Sequence, residues 1–386
     1  MPPKPGLQIA RIFGIPIYLH ASWAIIFVLI TLSLFAQYNQ QHPQWGDEKQ
    51  WVTGILTSLL FFSSVLFHEL AHSVIALRYK IPVVSITLFV FGGIARIGRE
   101  PSRALHEFNI AIAGPLASFF LFGAFSAALY LFPNNEVVVA VAGWLAQMNL
   151  MLAVFNLIPG FPLDGGRIFR AIVWGITKNF VRATRVAATS GKLIAYALIL
   201  SGALIIAGAW PPLKGRWEAG LWLAFIGWFL LTAAQESVAQ ITIRETLGGL
   251  RARDVMSNEI PTVGREITLQ DYGAEALRTG RRCHLVIADD RLLGMMNVHT
   301  LNAVPREEWD STSVQAAMLP RESILLAMAD EPLLGLLERL LSADVNQMPV
   351  MATDEEGGTH IVGMVSRDSI LRVIQTRSEL GRLNGG

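Results

Sequence analysis

Residues 61–77 read FFSSVLFHELAHSVIAL. The run is apolar enough to form the middle of a membrane-crossing helix, yet it carries His68, Glu69 and His72. Ionisable side chains are rare inside such helices; where they occur they face protein or a water-filled cavity and mark function. His68 and His72 are four apart and share one helix face, so their imidazoles can reach one ion together. Glu69 is one step round the helix from His68, where it can approach a metal-bound water from the side. This is the His-Glu-x-x-His arrangement, with two ligands for zinc and a general base. The plainer alternative is a pair of satisfied histidines that pack against, or bridge to, a partner helix.

The rest of the chain supports a membrane setting. Of its 386 residues 52% are hydrophobic and 16% charged, whereas about a quarter of an ordinary soluble domain is charged. Stretches near 17–37, 54–78, 108–132, 137–157, 190–210 and 219–238 meet the requirement of roughly 20 mostly apolar residues for a spanning helix. The connection after the second holds Arg78, Lys80, Arg96, Arg99 and Arg103; that after the fourth holds Arg167, Arg170, Lys178, Arg182 and Arg185. Basic loops stay in the cytoplasm, so an even number of spans puts both termini there. The N-terminus lacks a cleavable signal pattern, and the first apolar run is expected as a retained helix. A net charge of +1 excludes a global field for nucleic acid, and the single cysteine, Cys283, excludes an internal disulfide framework.

Two histidines do not complete a catalytic zinc site, which ordinarily has three protein ligands and an open position. The strongest candidate for the third is Asp164, in FNLIPGFPLDGGRIFR, residues 155–170. Pro159 and Pro162 end regular helix, and Gly165 and Gly166 let the chain turn tightly beyond Asp164. An acidic side chain is then presented by a broken helix at the inner side of the membrane. Val83–Gly98, VVSITLFVFGGIARIG, is β-branched and aromatic and turns at Gly92–Gly93. It reads as a short hairpin, either beside the active site, where an edge strand can hold an extended peptide, or as packing beneath the catalytic helices. AGPLAS, residues 113–118, has small residues that permit close helix packing. His20, His106, His284 and His360 stand alone and read as satisfied structural histidines.

From about Arg244 the apolar runs shorten and charges recur. The tail looks internally repeated. RDVMSNEIPTVGREITLQD opens one half and HLVIADDRLLGMMNVHTL closes it. VQAAMLPRESILLAMADEPLLGLLERL and QMPVMATDEEGGTHIVGMVSRDSIL do the same for the other. The expected domains are a membrane domain over 1–243 and a soluble cytoplasmic tail over 244–386, with halves near 253–304 and 312–376.

The tail resembles a tandem pair of CBS motifs. Such pairs often bind adenine nucleotides (AMP, ADP or ATP) and associate side by side, which implies a homodimer. Gly363, Ser366 and Asp368 match the family's ribose-contacting pattern, whereas the first half has Gly294, Asn297 and His299 and lacks the acidic residue. HELAH and NLIPGFPLDGGR together resemble the site-2 protease family of intramembrane zinc metalloproteases, in the branch with a C-terminal CBS pair. That resemblance implies a polytopic α-helical membrane protein of about six transmembrane helices with a short membrane-associated β-hairpin, followed by a soluble α/β CBS-pair domain. It implies one zinc ion bound by His68, His72 and Asp164, with Glu69 activating water. Asn156, Pro159, Gly92 and Gly93 would position the substrate, a single-pass or polytopic membrane protein. The implied setting is the plasma membrane of a bacterium or archaeon. A CBS-regulated ion transporter or channel, using the same residues for ion transit, is the rival reading.

Overall fold

The computed structural model describes residues 6–90, 92–210, 215–288, 291–354 and 358–383. The chain divides into two compact units, one running to Ile241 and the other starting at Thr242.

The first unit is helical. Its helices are α1 (Ala21–Gln41), α2 (Asp47–Arg78), α3 (Ala104–Leu131), α4 (Glu136–Asn156), the short α5 (Asp164–Thr177), α6 (Phe180–Ile206) and α7 (Trp217–Leu247). Among the described residues, all but α5 are long and apolar enough to cross a membrane, six in total. The protein is a multi-pass membrane protein. At 32 residues, α2 is about 48 Å long and outruns the roughly 30 Å hydrocarbon core. Its ends are polar in the sense the helix dipole favours, with Asp47 and Glu48 in the first turn and Arg78 in the last. Two pairs of polar side chains meet on the α1–α2 interface: Thr31 Oγ1 donates to Ser58 Oγ at 2.9 Å, and Tyr38 Oη lies 3.0 Å from Thr57 Oγ1. Where α6 meets α7, a Cβ on Gly202 would fall 2.5 Å from the Gly220 carbonyl oxygen, so the two backbones touch there.

Three features differ from the expectation. The first apolar run is not all helix. Leu7–Ile12 (β1) and Ile15–Leu19 (β2) form a hairpin turned at Phe13 and Gly14, both with positive φ, as a tight two-residue turn requires. The hairpin near residue 90, β3 (Val83–Phe89) and β4 (Gly92–Ile97), is half of a larger sheet. The order is β1-β2-β3-β4, with β2 and β3 parallel in the register Ile17↔Ile86. The fifth apolar stretch, expected from about 190, in fact starts at Phe180, capped by Asn179 accepting from the Arg182 N–H.

The second unit carries the repeat. Its strands are β5 (Thr262–Val263), β6 (Cys283–Ala288), β7 (Arg291–Asn297), β8 (Leu319–Pro320), β9 (Ala327–Met328), β10 (Gln347–Thr353) and β11 (Thr359–Ser366). Its helices are α8 (Leu269–Thr279), α9 (Val298–Asn302), α10 (Val314–Ala317), α11 (Leu333–Ser342) and α12 (Arg367–Leu383). The two sheets have orders β5-β6-β7-β8 and β11-β10-β9. Each half has an antiparallel hairpin whose register shifts at the same place, after Val286↔Gly294 in one and after Val350↔Gly363 in the other. Each hairpin also takes up the leading segment of the other half. Met318–Pro320 runs along β7, and Ser257 exchanges two backbone hydrogen bonds with Met364. The cores are apolar: Leu333, Leu336, Leu340, Val350 and Val365 in one, and Leu269, Tyr272, Val286 and Met296 in the other.

Candidate metal centre

On α2, His68 and His72 are both buried and point to one side. The third group arrives from 92 residues further on. After α4 ends at Asn156, a loop of irregular backbone containing Pro159 and a cis Phe161–Pro162 bond leads into α5, whose first residue is Asp164. The glycines after Asp164 serve a different purpose from the turn expected of them. Both are helical, without positive φ. A Cβ on Gly165 would collide with the carbonyl oxygens of Leu157 and Ile158, and one on Gly166 with the backbone of Gly160 and Phe161. The loop lies directly on the first turn of α5, and only glycine leaves it room.

The result is a close triangle. Asp164 Oδ2 is 3.1 Å from both His68 Nε2 and His72 Nε2, and the two nitrogens are 3.2 Å apart. Donors bound tetrahedrally at 2.0–2.1 Å to zinc lie about 3.3 Å from one another, so the triangle has the size a zinc ion needs. Its chemistry agrees. His72 Nδ1 is 2.6 Å from the Ile110 carbonyl oxygen, which can only accept, so the proton is on Nδ1. In neutral imidazole that leaves the Nε2 lone pair aimed at a carboxylate oxygen, an arrangement that a cation between them satisfies. His68 Nδ1 is 2.9 Å from Ser118 Oγ. Such outer partners orient metal-binding histidines. Gly114 completes the cradle: a Cβ there would overlap His72 Nε2 and come within 2.6 Å of His68 Nε2. His68, His72 and Asp164 therefore fit a zinc ion, and among the described residues they form a group able to hold one.

Glu69 faces the sheet. A Cβ on Gly93 would meet its Cγ at 2.5 Å, and the Ala95 N–H of β4 faces its carboxylate. Gly92 has φ +123°, a conformation that requires glycine. Asn156 is half-buried at the end of α4, and the Pro159 carbonyl accepts a hydrogen bond from Ser190 of α6. Thus Glu69, Gly92 and Gly93 adjoin one another on α2 and β4, while Asn156 and Pro159 border the loop that delivers Asp164. Three of the lone histidines have structural roles, and His360 is exposed on β11. His20 caps α1 by accepting from the Ser22 N–H, His106 stacks on Tyr79 at 4.1 Å, and His284 is buried against Tyr272.

Gly363, Ser366 and Asp368 lie in the other unit. Gly363 is pressed against Ser257, whose carbonyl oxygen a Cβ would approach to 2.5 Å. Ser366 caps α12 by accepting from the Ser369 N–H at 3.0 Å, and Asp368 is exposed in the first turn. Sequence reasoning missed Glu107, Ile110, Gly114 and Ser118 of α3. Their spacing of three, four and four was the available signal.

Comparison with known proteins bears on the chemistry. The family model of Peptidase family M50 matches residues 56–135 and 132–200, and that of the CBS domain matches residues 316–376. A Synechocystis sp. protein named "Putative zinc metalloprotease sll0528" is 33% identical over 96% of this chain and 96% of its own length. Rip3 of Mycobacterium tuberculosis, similarly named, is 34% identical over 96% of this chain and 93% of its own. Among solved structures, a site-2 protease from Methanocaldococcus jannaschii is 31% identical, with 60% of this chain and 94% of that one aligned at a TM-score of 0.44.

Proposed function

The chain belongs to the site-2 protease family, peptidase family M50, and is a zinc metalloprotease with a CBS-pair tail; we propose that it hydrolyses peptide bonds within or near transmembrane segments of membrane-protein substrates. The observation that carries this reading is the triangle of His68, His72 and Asp164 beside Glu69.

In this reading His68, His72 and Asp164 hold one zinc ion. When bound, zinc supplies Lewis acidity, lowering the pKa of water towards about 7 and polarising a carbonyl. Glu69 takes the proton of the attacking water and returns it to the leaving amine, so its carboxylate must reach both. The Ala95 N–H and the bare face of Gly93 leave that carboxylate one defined place. The substrate must come unwound, because a helix hides its carbonyls in internal hydrogen bonds. β4 lies at one end of the sheet order, so its outer side can pair with an extended peptide. Gly92, Gly93, Asn156 and Pro159 line that approach in the proposal.

The basic loops after the second and fourth spans support an inward-facing site with both termini in the cytoplasm. We assign residues 1–243 to catalysis and 244–386 to regulation, through an adenine nucleotide at Gly363, Ser366 and Asp368 and a homodimer of tails. The ion-transporter alternative is not favoured, since relatives aligned over nearly the whole chain are named as metalloproteases. The test is zinc content and cleavage of a helix-destabilised transmembrane peptide by wild type and Glu69→Gln. Zinc in both with cleavage only by wild type is expected. A folded wild-type protein without zinc, or equal cleavage by Glu69→Gln, would overturn the reading.

A further inference from the structure

One face of α3 meets both histidines of the triangle and reaches α5, the helix that carries Asp164. Glu107, Ile110, Gly114 and Ser118 lie within an arc of about 80° on an ideal helix. Ile110 fixes His72, Ser118 meets His68, and Gly114 leaves them space. Glu107 touches none of the three. It is wholly buried and meets Arg170 of α5, itself only 6% exposed. Arg170 Nε donates to Glu107 Oε1 at 2.7 Å, and Nη2 donates to the same oxygen. Nη2 also reaches Glu100 Oε2 at 3.4 Å, and Arg167 Nε is 4.0 Å from Glu107 Oε1. The guanidinium is packed between Phe161, at 5.0 Å, and Phe180, at 4.7 Å. Phe161 belongs to the loop that delivers Asp164, so Arg170 grips both that loop and α3.

We propose that the buried Glu107–Arg170 pair is a positioning device that holds the start of α5, and with it Asp164, at ligand distance from the two histidines. The inference rests on the reading of the triangle as a metal site. The physical argument concerns the strength of each anchor. His68 and His72 are on a continuous helix and keep their places through α2. Asp164 sits on the first turn of a short helix behind an irregular loop, where helices fray most readily. Its position depends on what ties α5 down, and a charge-assisted contact in a low-dielectric site, two guanidinium nitrogens on one carboxylate oxygen, is a strong tie. Arg170 supplies it, because its planar fork is fixed where a lysine would offer one mobile charge.

The experiment is zinc affinity of the full-length protein in detergent, by chelator competition, with folding checked by circular dichroism. The variants are Arg170→Lys, Glu107→Gln and the neutral double variant Glu107→Gln/Arg170→Met, each made also in an Asp164→Ala background. Outer partners of metal ligands are worth about 10–100-fold in affinity. Weakening by about tenfold or more is expected for Glu107→Gln and the double variant, with a smaller loss for Arg170→Lys. In the Asp164→Ala background the same changes should add nothing, because the pair acts through Asp164. A merely structural role would weaken binding equally in both backgrounds and would overturn the proposal, as would wild-type affinity in the variants. Arg170→Lys keeps the buried charges balanced and decides the matter if the others do not fold. Failure of wild type to bind zinc would instead sink the metal-site reading itself.

Discussion

Replacing Gly114 by alanine separates helix stability from the metal site. Glycine inside a helix costs about 0.5–1 kcal/mol relative to alanine, and Gly114 has no positive φ to protect. On backbone grounds Gly114→Ala should stabilise α3. The cradle opposes it. The new Cβ would overlap His72 Nε2 and lie 2.6 Å from His68 Nε2, whereas ordinary contact begins at 3.4 Å. The His68 ring alone must retreat by about 0.8 Å, against a tolerance of about 0.2 Å for metal–ligand distances. Neither histidine can yield freely, since Nδ1 of each is held from α3 at 2.6 and 2.9 Å. We expect Gly114→Ala to fold with unchanged helix content and to lose zinc affinity by at least 100-fold, with loss of peptide cleavage. The assay is chelator competition on purified protein alongside thermal unfolding monitored by circular dichroism. Wild-type zinc affinity in Gly114→Ala would refute the reasoning, because the cradle would then not be set by the α3 backbone.

The other predictions concern the tail. Burial pushes the Cys283 thiol up to about 12, leaving about one thiolate in ten thousand at pH 8; iodoacetamide should label Cys283 only after denaturation, and rapid labelling of native protein by mass spectrometry would contradict its burial. Burial, with a contribution from nearby Arg281, holds His284 below its ordinary 6.5, so the unfolded chain takes up a proton first as pH falls. The stability this gives is complete above about pH 6.5 and is lost below it. The protection factors of the β6 and β7 amides in the whole protein, corrected for intrinsic exchange, should therefore fall below that pH, and less so in His284→Gln. Leu336 is fully buried in the α11 core, and Leu336→Ala should destabilise the tail by about 2–5 kcal/mol in denaturant unfolding; a change below 1 kcal/mol would mean the core is not packed as described.

Much of the architecture was legible because hydrocarbon imposes length and composition on each span. The parts that were not legible have identifiable causes. Ile15–Leu19 is apolar and abuts the first span, so a buried strand and a helix start look alike there; the sheet partner that decides it, β3, begins 64 residues later. The start of α6 carries Arg182 and Arg185, and hydropathy reads those as loop. The motif residues His68, His72 and Asp164 were recognisable from spacing and from the broken helix before Asp164. Their supports were not. Glu107 precedes an apolar run and Arg170 is one of several basic residues in a loop-like stretch. Pairing them requires knowing that positions 63 residues apart meet.

The ionisable groups at membrane depth are informative because packing alone has a simpler solution. Elsewhere on α2 the buried positions include Ser64, Ser73 and Ala76, where the serines return their hydroxyls to carbonyls one turn back. Such residues fill the interface with no group left facing another of its own kind. At His68 and His72 the outer nitrogens are satisfied, one by a backbone carbonyl and one by a serine hydroxyl. His72 Nε2 and the Asp164 oxygen meet acceptor to acceptor, and His68 Nε2 lies within 3.2 Å of both. A single proton can bridge one of those three contacts at a time. A divalent cation bridges all three together and neutralises the carboxylate as well. Two nitrogens and a carboxylate oxygen packed this closely, with a glycine, a carbonyl and a hydroxyl of α3 against them, are costly without an ion, and that cost is the physical argument for a cation between them.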